Sequence, residues 1–199
     1  MLNLWGYTGA LASVWIVLGV YIASLFYPNY SHGRQFCSEL GTHGSPTQKL
    51  SPLINNYPLG LCFVLFGLCV AMQSSSDYST LIIGAMVVAH GVGTWVAGYF
   101  PMDKDPYTTT PTRSCRIHSW AGLVMLLSLI VAPCVVIFDD NFSTNMRVFS
   151  AVCVLGCFYF SYRLVVSFKQ RTNPGVHQRL SYGFQLLWLF VYSLSVASN

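Results

Sequence analysis

The stretch Ser79–Phe100 reads STLIIGAMVVAHGVGTWVAGYF and contains no Asp, Glu, Lys or Arg. A bilayer's hydrocarbon core, about 30 Å thick, is crossed by roughly 20 helical residues, so a run of this length and apolarity reads as a membrane span. Five further runs read the same way: approximately Leu4–Tyr27, Tyr57–Met72, Ile117–Phe138, Met146–Phe168 and Leu180–Ala197. Each is bounded by Pro, Asn, Asp or basic residues. The expected fold is an all-α integral membrane protein, a compact bundle of six transmembrane helices forming one domain over residues 1–199. The first run lacks a basic stretch before it and is longer than the apolar core of a signal peptide, so it is read as a retained helix.

Composition agrees. Hydrophobic residues make up 54% of the chain and charged residues 8%, against about a quarter charged in soluble domains. Five Trp, twelve Tyr and thirteen Phe suit aromatic belts at a membrane interface. No basic stripe is present to neutralise phosphates along a polymer, so nucleic acid is excluded as a partner.

The cations are distributed unequally. With six spans, the loops after the first, third and fifth share one face. That face carries Arg34, Lys49, Lys104, Arg113, Arg116, Arg163, Lys169, Arg171 and Arg179, whereas the opposite face carries Arg147 alone. The positive-inside rule then predicts three basic loops in the cytoplasm and both termini on the non-cytoplasmic side. Asp77, Asp139 and Asp140 are expected on that outer side.

Small residues should govern how the helices meet, because lipid supplies no hydrophobic reason for association. The third span offers Ala85, Ala89, Gly93 and Ala97 at period four, the second Gly60 and Gly67 seven apart, and the fifth Cys153, Cys157 and Ser161. Pro133 predicts a kink in the fourth span. The seven cysteines include no CxxC pair and give no disulfide framework. In the sixth span Ser181, Gln185, Trp188, Tyr192 and Ser195 form a polar-edged stripe. Gln185 should face the bundle interior, either bonding to another helix or lining a cavity. His90 is an ionisable residue near mid-membrane and therefore a candidate binding residue, or else a neutral histidine bonding between helices. A haem is not expected, because His118, the nearest axial partner by sequence, belongs to the end of its span.

The irregular sequence is concentrated on the basic face. Phe36–Pro46 reads FCSELGTHGSP, Gly98–Pro106 reads GYFPMDKDP, His118 follows in RIHSW, and the sixth span is entered through NPGVHQR, Asn173–Arg179. The second span is entered through NNYP, which includes Asn56. Acids, histidines, amides and arginines from three loops should thus converge on one end of the bundle, where loops on a rigid scaffold commonly carry function. Each residue also has a plainer reading: Glu39 as a helix cap or a partner for Arg34, Asp103 as a cap, Asp105 as a turn residue, and the cations as lipid contacts.

The motifs Ser38-Glu39-Leu40-Gly41, Asn56, Gly98, Phe100-Pro101, Asp103 and His118 resemble those of a six-span, mostly bacterial and archaeal family catalogued as domain of unknown function 998. The resemblance extends over nearly the whole chain and implies a multi-pass protein of a bacterial inner membrane. A looser likeness connects the acidic motif to autophagy-modulator and GPI-anchor-remodelling six-span proteins. Neither likeness supplies a catalytic role.

Three functions remain open from the residues. In the first, a polar inner-face pocket binds or organises lipid headgroups through Asn56, Asp103, Arg116, His118, His177 and Arg179, with membrane lipids as the partners. In the second, the same face is a lipid hydrolase or transferase. His43, Asp103, His118 and His177 would then hold a divalent metal that activates water. Glu39 would be the general base, or Ser38 a nucleophile beside a histidine such as His43. In the third, the protein is a small-solute transporter using His90 and Gln185. No HExxH or GxSxG motif supports the enzyme.

Overall fold

The computed structural model describes residues 2–73 and 78–198. Its helices are α1 (Leu2–Gly6), α2 (Thr8–Leu25), α3 (Tyr57–Gln73), α4 (Tyr78–Tyr99), α5 (Arg113–Phe138), α6 (Thr144–Gln170) and α7 (Pro174–Ser198). A 3-10 turn, Cys37–Gly41, and a π-turn, Pro52–Asn56, interrupt the long α2–α3 connection. Six segments are long and apolar enough to cross a membrane: Leu4–Leu25, Pro52–Gln73, Tyr78–Tyr99, Arg113–Phe138, Thr144–Gln170 and Pro174–Ser198. The chain is an all-helical, multi-pass membrane protein. Asp77 lies outside the described residues.

Consecutive spans pack side by side, and α7 closes the ring against α2. The seam is polar: the Ser193 hydroxyl donates to Gly6 O and accepts from Ala10 N at 2.8 Å. The interior is aromatic. Trp188 stacks on Tyr192 with centroids 5.0 Å apart and donates its indole N–H to Ser150 Oγ at 2.9 Å. Phe63, Phe66, Leu59 and Leu189 complete a solvent-free core, while Val17, Leu18, Tyr21 and Leu155 face outward, as a lipid-facing surface requires.

The tightest helix contact uses glycines. A Cβ on Gly67 would stand 2.6 Å from Gly84 O, and one on Gly84 2.5 Å from Gly67 O. Gly60 and Gly91 repeat the arrangement one heptad along, so α3 and α4 touch backbone to backbone. Gly60 and Gly67 act as expected. The alanine stripe of α4 does not make this contact: Ala85 is exposed, and Gly93 meets Met125 of α5 instead. On α6, Cys157 and Ser161 meet Ser181 of α7, the two hydroxyls 2.7 Å apart.

Several ends differ from the hydropathy reading. The sixth span begins at Pro174, not near Leu180, because a proline pre-set for the first helical position starts it within a polar turn. The fourth begins at Arg113, where Thr112 accepts from Cys115 N at 3.2 Å, and it continues through Pro133. The fifth runs Thr144–Gln170, with Ser143 before it capping Met146 N and Arg171 after it in the left-handed region (φ 53°). In the first turn of α3, Pro58 has no N–H to offer Ile54 O. The Trp15 indole takes that carbonyl at 2.7 Å, and Trp95 donates to Tyr57 O at 2.9 Å. The π-turn is thereby held between α2 and α4.

Candidate functional site

Three connections share one end of the ring: 26–56, 100–112 and 171–173. The first is long enough to fold back over the helices, and its fastening begins with Arg179 on the second turn of α7. Arg179 donates to His32 O (2.6 Å), Gln35 O (2.8 Å), Gly175 O (3.0 Å) and the Tyr30 hydroxyl (2.7 Å). Val176 N donates to Gly33 O at 3.0 Å, and Cys37 N donates to Gln178 Oε1 at 2.8 Å. The start of α7 lies so close that a Cβ on Gly175 would be 2.3 Å from Gln35 O. Burial pushes the Tyr30 hydroxyl pKa up. Burial, with help from the Arg179 charge, pushes His32 down.

The stretch Phe36–Pro46 is folded inward. Leu40 is fully buried against Val20 and Ala23 of α2, and its carbonyl accepts from Thr47 (2.6 Å) and Ser45 (2.9 Å). Glu39 reaches back to accept from Phe36 N at 2.8 Å, while its other oxygen accepts from Gln35 Nε2 at 3.1 Å. It caps the 3-10 turn and does not pair with Arg34. Burial raises the Cys37 thiol, partly offset by Arg179. Ser38 is half-buried, and no histidine hydrogen bond among the described residues reaches it.

The motif residues of the 98–118 region likewise bond to the protein. Asp103 receives the Thr112 hydroxyl at 2.7 Å and the Thr112 N–H at 2.9 Å, so it orients the residue that caps α5. These two bonds, hydroxyl first, hold its carboxyl below the usual carboxylate range. His118 shares Nδ1 between Ala97 O (3.0 Å) and Phe100 O (2.9 Å), which makes that nitrogen a donor to the open end of α4. Asn56 donates to Thr94 O at 3.1 Å and lies against Gly98. His43 is exposed, with its backbone N–H on Met102 O. His177 stacks on Phe160 at 6.3 Å, and its Nδ1 has no partner. The four residues expected as metal ligands, His43, Asp103, His118 and His177, are not assembled. Among the described residues no three His, Cys, Asp or Glu side chains are placed to hold an ion.

Within the ring, Gln185 donates to Leu126 O at 2.8 Å. His90 is fully buried; Nδ1 lies 3.0 Å from Met125 O and Nε2 2.9 Å from the Tyr182 hydroxyl. Since a carbonyl only accepts, Nδ1 carries the proton, and Tyr182 donates to Nε2. One imidazole thus joins α4, α5 and α7.

What the three connections leave between them is a cavity of about 560 Å³. Arg34 enters it from the first loop, Lys104 and Asp105 from the second, and Arg171 from the α6 cap, with Glu39 and Tyr107 completing the wall. Arg171 lies over the Tyr107 ring at 4.6 Å, and Phe168 stacks on that ring, also at 4.6 Å. The one ion pair among the described residues, Arg147 with Asp140, is at the other end of the bundle, so none of these cations makes a direct ion pair with a carboxylate. Arg34, Lys104 and Arg171 have no individual signal in the sequence, because each also reads as part of the orientation bias. Arg116 is exposed outside this wall. A second cavity of about 420 Å³, beside Val131, Cys134 and Phe138, is mainly apolar.

A family model described as Protein of unknown function (DUF998) matches residues 10–195. No curated protein and no solved structure matches the chain.

Proposed function

The chain belongs to the family described as protein of unknown function DUF998, and from that premise we propose that it is a membrane protein whose loop-end cavity binds the phosphate-bearing headgroup of a lipid. The observation that carries this reading is the meeting of Arg34, Lys104 and Arg171, from three separate connections, in one cavity with no ion pair among them. Guanidinium groups match phosphate oxygens with two parallel donors each, and a lysine adds a point charge. The cavity's size suits a small headgroup, and its position beyond the ends of the six spans supports a site at headgroup depth. Under the positive-inside rule this end, which bears nine of the ten cations, faces the cytoplasm and both termini face away.

The bonds made by Asp103, His118 and Arg179 support a different role for those residues, that of holding the loops which form the wall. The test is lipid binding by purified protein in detergent, followed by native mass spectrometry with short-chain phosphatidylglycerol. Arg34→Gln and Arg171→Gln should each weaken binding about tenfold, the scale of one charged hydrogen bond, and added salt should weaken it further. Affinity that is unchanged in the double variant would remove the reading.

A further inference from the structure

The same cavity contains a feature that a site for a simple anion would not need. Two carboxylates, Glu39 and Asp105, line it together with the three cations. Glu39 is 8% exposed, and a buried carboxylate requires compensation. Its two oxygens receive one hydrogen bond each, from Phe36 N and Gln35 Nε2. A carboxylate offers about four acceptor positions, so each oxygen keeps capacity. Asp105 accepts from Tyr107 N through one oxygen at 2.9 Å. Neither forms an ion pair with Arg34, Lys104 or Arg171. Positive and negative groups line one cavity without a direct ion pair between them.

From this we infer that the ligand is a zwitterion: a phosphate ester carrying a primary ammonium, the chemistry of a phosphoethanolamine group. The inference rests on the headgroup reading above and narrows it. The guanidinium groups and Lys104 take the phosphate, while the ammonium, with three N–H donors, takes the free lone pairs of Glu39 and Asp105. The aromatic wall separates this ligand from its trimethylated counterpart. A quaternary ammonium has no N–H to donate and is recognised by open aromatic faces. Tyr107, the aromatic residue of the wall, already has Arg171 over its ring and Phe168 stacked on it. A purely anionic headgroup leaves the spare lone pairs of Glu39 and Asp105 unused and meets their repulsion.

The experiment compares short-chain phosphatidylethanolamine, phosphatidylglycerol and phosphatidylcholine on the full chain in detergent, by native mass spectrometry. Free O-phosphoethanolamine is titrated in parallel. The ethanolamine lipid should bind about tenfold tighter than either of the others, the scale of one charged hydrogen bond. Glu39→Gln should bring the ethanolamine-to-glycerol ratio close to unity. Asp105→Asn, on an exposed turn, should reduce it in the same direction and serves if the Glu39 variant fails to fold. Equal or tighter binding of phosphatidylglycerol to the wild type, or an unchanged ratio in the folded variants, overturns the zwitterion and leaves the headgroup reading in place. Binding of none of the three lipids nor of the free ester overturns both. Where binding is seen, equal affinity for free O-phosphoethanolamine and its lipid identifies a soluble ester as the ligand. A clear advantage for the lipid identifies the bilayer as the source.

Discussion

Gly175 and Gly183 lie on the same helix, and alanine should act on them with opposite sign. At Gly175 a new Cβ would meet Gln35 O at 2.3 Å, His32 O at 2.7 Å and Arg179 Nη1 at 2.9 Å. Two of these atoms are backbone, and both carbonyls already accept from Arg179, so relief requires the loop to lift and break those bonds. Overpacking of this kind costs about 1–3 kcal/mol, and each lost charged hydrogen bond adds about 1.5 kcal/mol less whatever water restores. The better helix propensity of alanine returns under about 1 kcal/mol. A net destabilisation of about 3 kcal/mol follows, which lowers a melting temperature by about 6–12 °C in a chain of this size. At Gly183 a Cβ meets nothing within 4 Å, and only the propensity gain of under about 1 kcal/mol remains. The assay is a thermal melt by intrinsic fluorescence in detergent, paired with limited proteolysis of the 28–36 segment. Gly175→Ala should melt early and be cut faster there, and Gly183→Ala should match or exceed the wild type. If Gly175→Ala melts with the wild type, the described docking of loop on helix is wrong.

Two further predictions concern groups that bond inward. The Asp103 carboxyl is held below its usual value of 3.8 by Thr112, so its contribution is complete above that pH and is lost as pH falls through the lower folded value. Amide protection in the 100–112 loop, taken relative to the intrinsic exchange rate at each pH, should therefore fall at acid pH in the wild type, and Asp103→Ala should lack that protection already at pH 6; full protection in that variant would refute the loop-holding role. His90→Ala strands the Tyr182 hydroxyl and leaves a cavity in the bundle, while Met125 O keeps the Ser128 hydroxyl at 2.9 Å; the change should cost about 2–4 kcal/mol. Gln185→Leu removes one interhelical bond and should cost about 0.6 kcal/mol; equal melting of the two variants would contradict the three-helix junction at His90.

The six spans were legible because crossing a bilayer imposes a length scale that hydropathy detects. The start of α7 was not, since Asn173–Arg179 is polar; Pro174 was the available signal. Gly60 and Gly67 were legible as a contact surface, but their partners Gly84 and Gly91 were hidden beside a more regular alanine stripe that faces elsewhere. Convergence of the loops followed from topology alone. The roles within that end were harder to read. Short polar residues such as Asp103, Asn56 and Glu39 stand out in an apolar chain, yet stand out because helix ends and turns need them to satisfy backbone groups. The cavity wall uses long cations, and Arg34 or Arg171 looks in sequence like any other residue that orients a membrane protein.

The fastening of the first loop by the last helix has a consequence for how the protein is made. Residues 30–37 are translated about 140 residues before their anchors, Gly175, Val176, Gln178 and Arg179. Until α7 inserts, the α2 edge of the ring has no α7 to close it and the loop lacks the grip of Arg179. Before that step five of the six spans are in place and the first-loop wall of the cavity is not yet fastened. Ligand binding would then report that α7 had docked on the first loop.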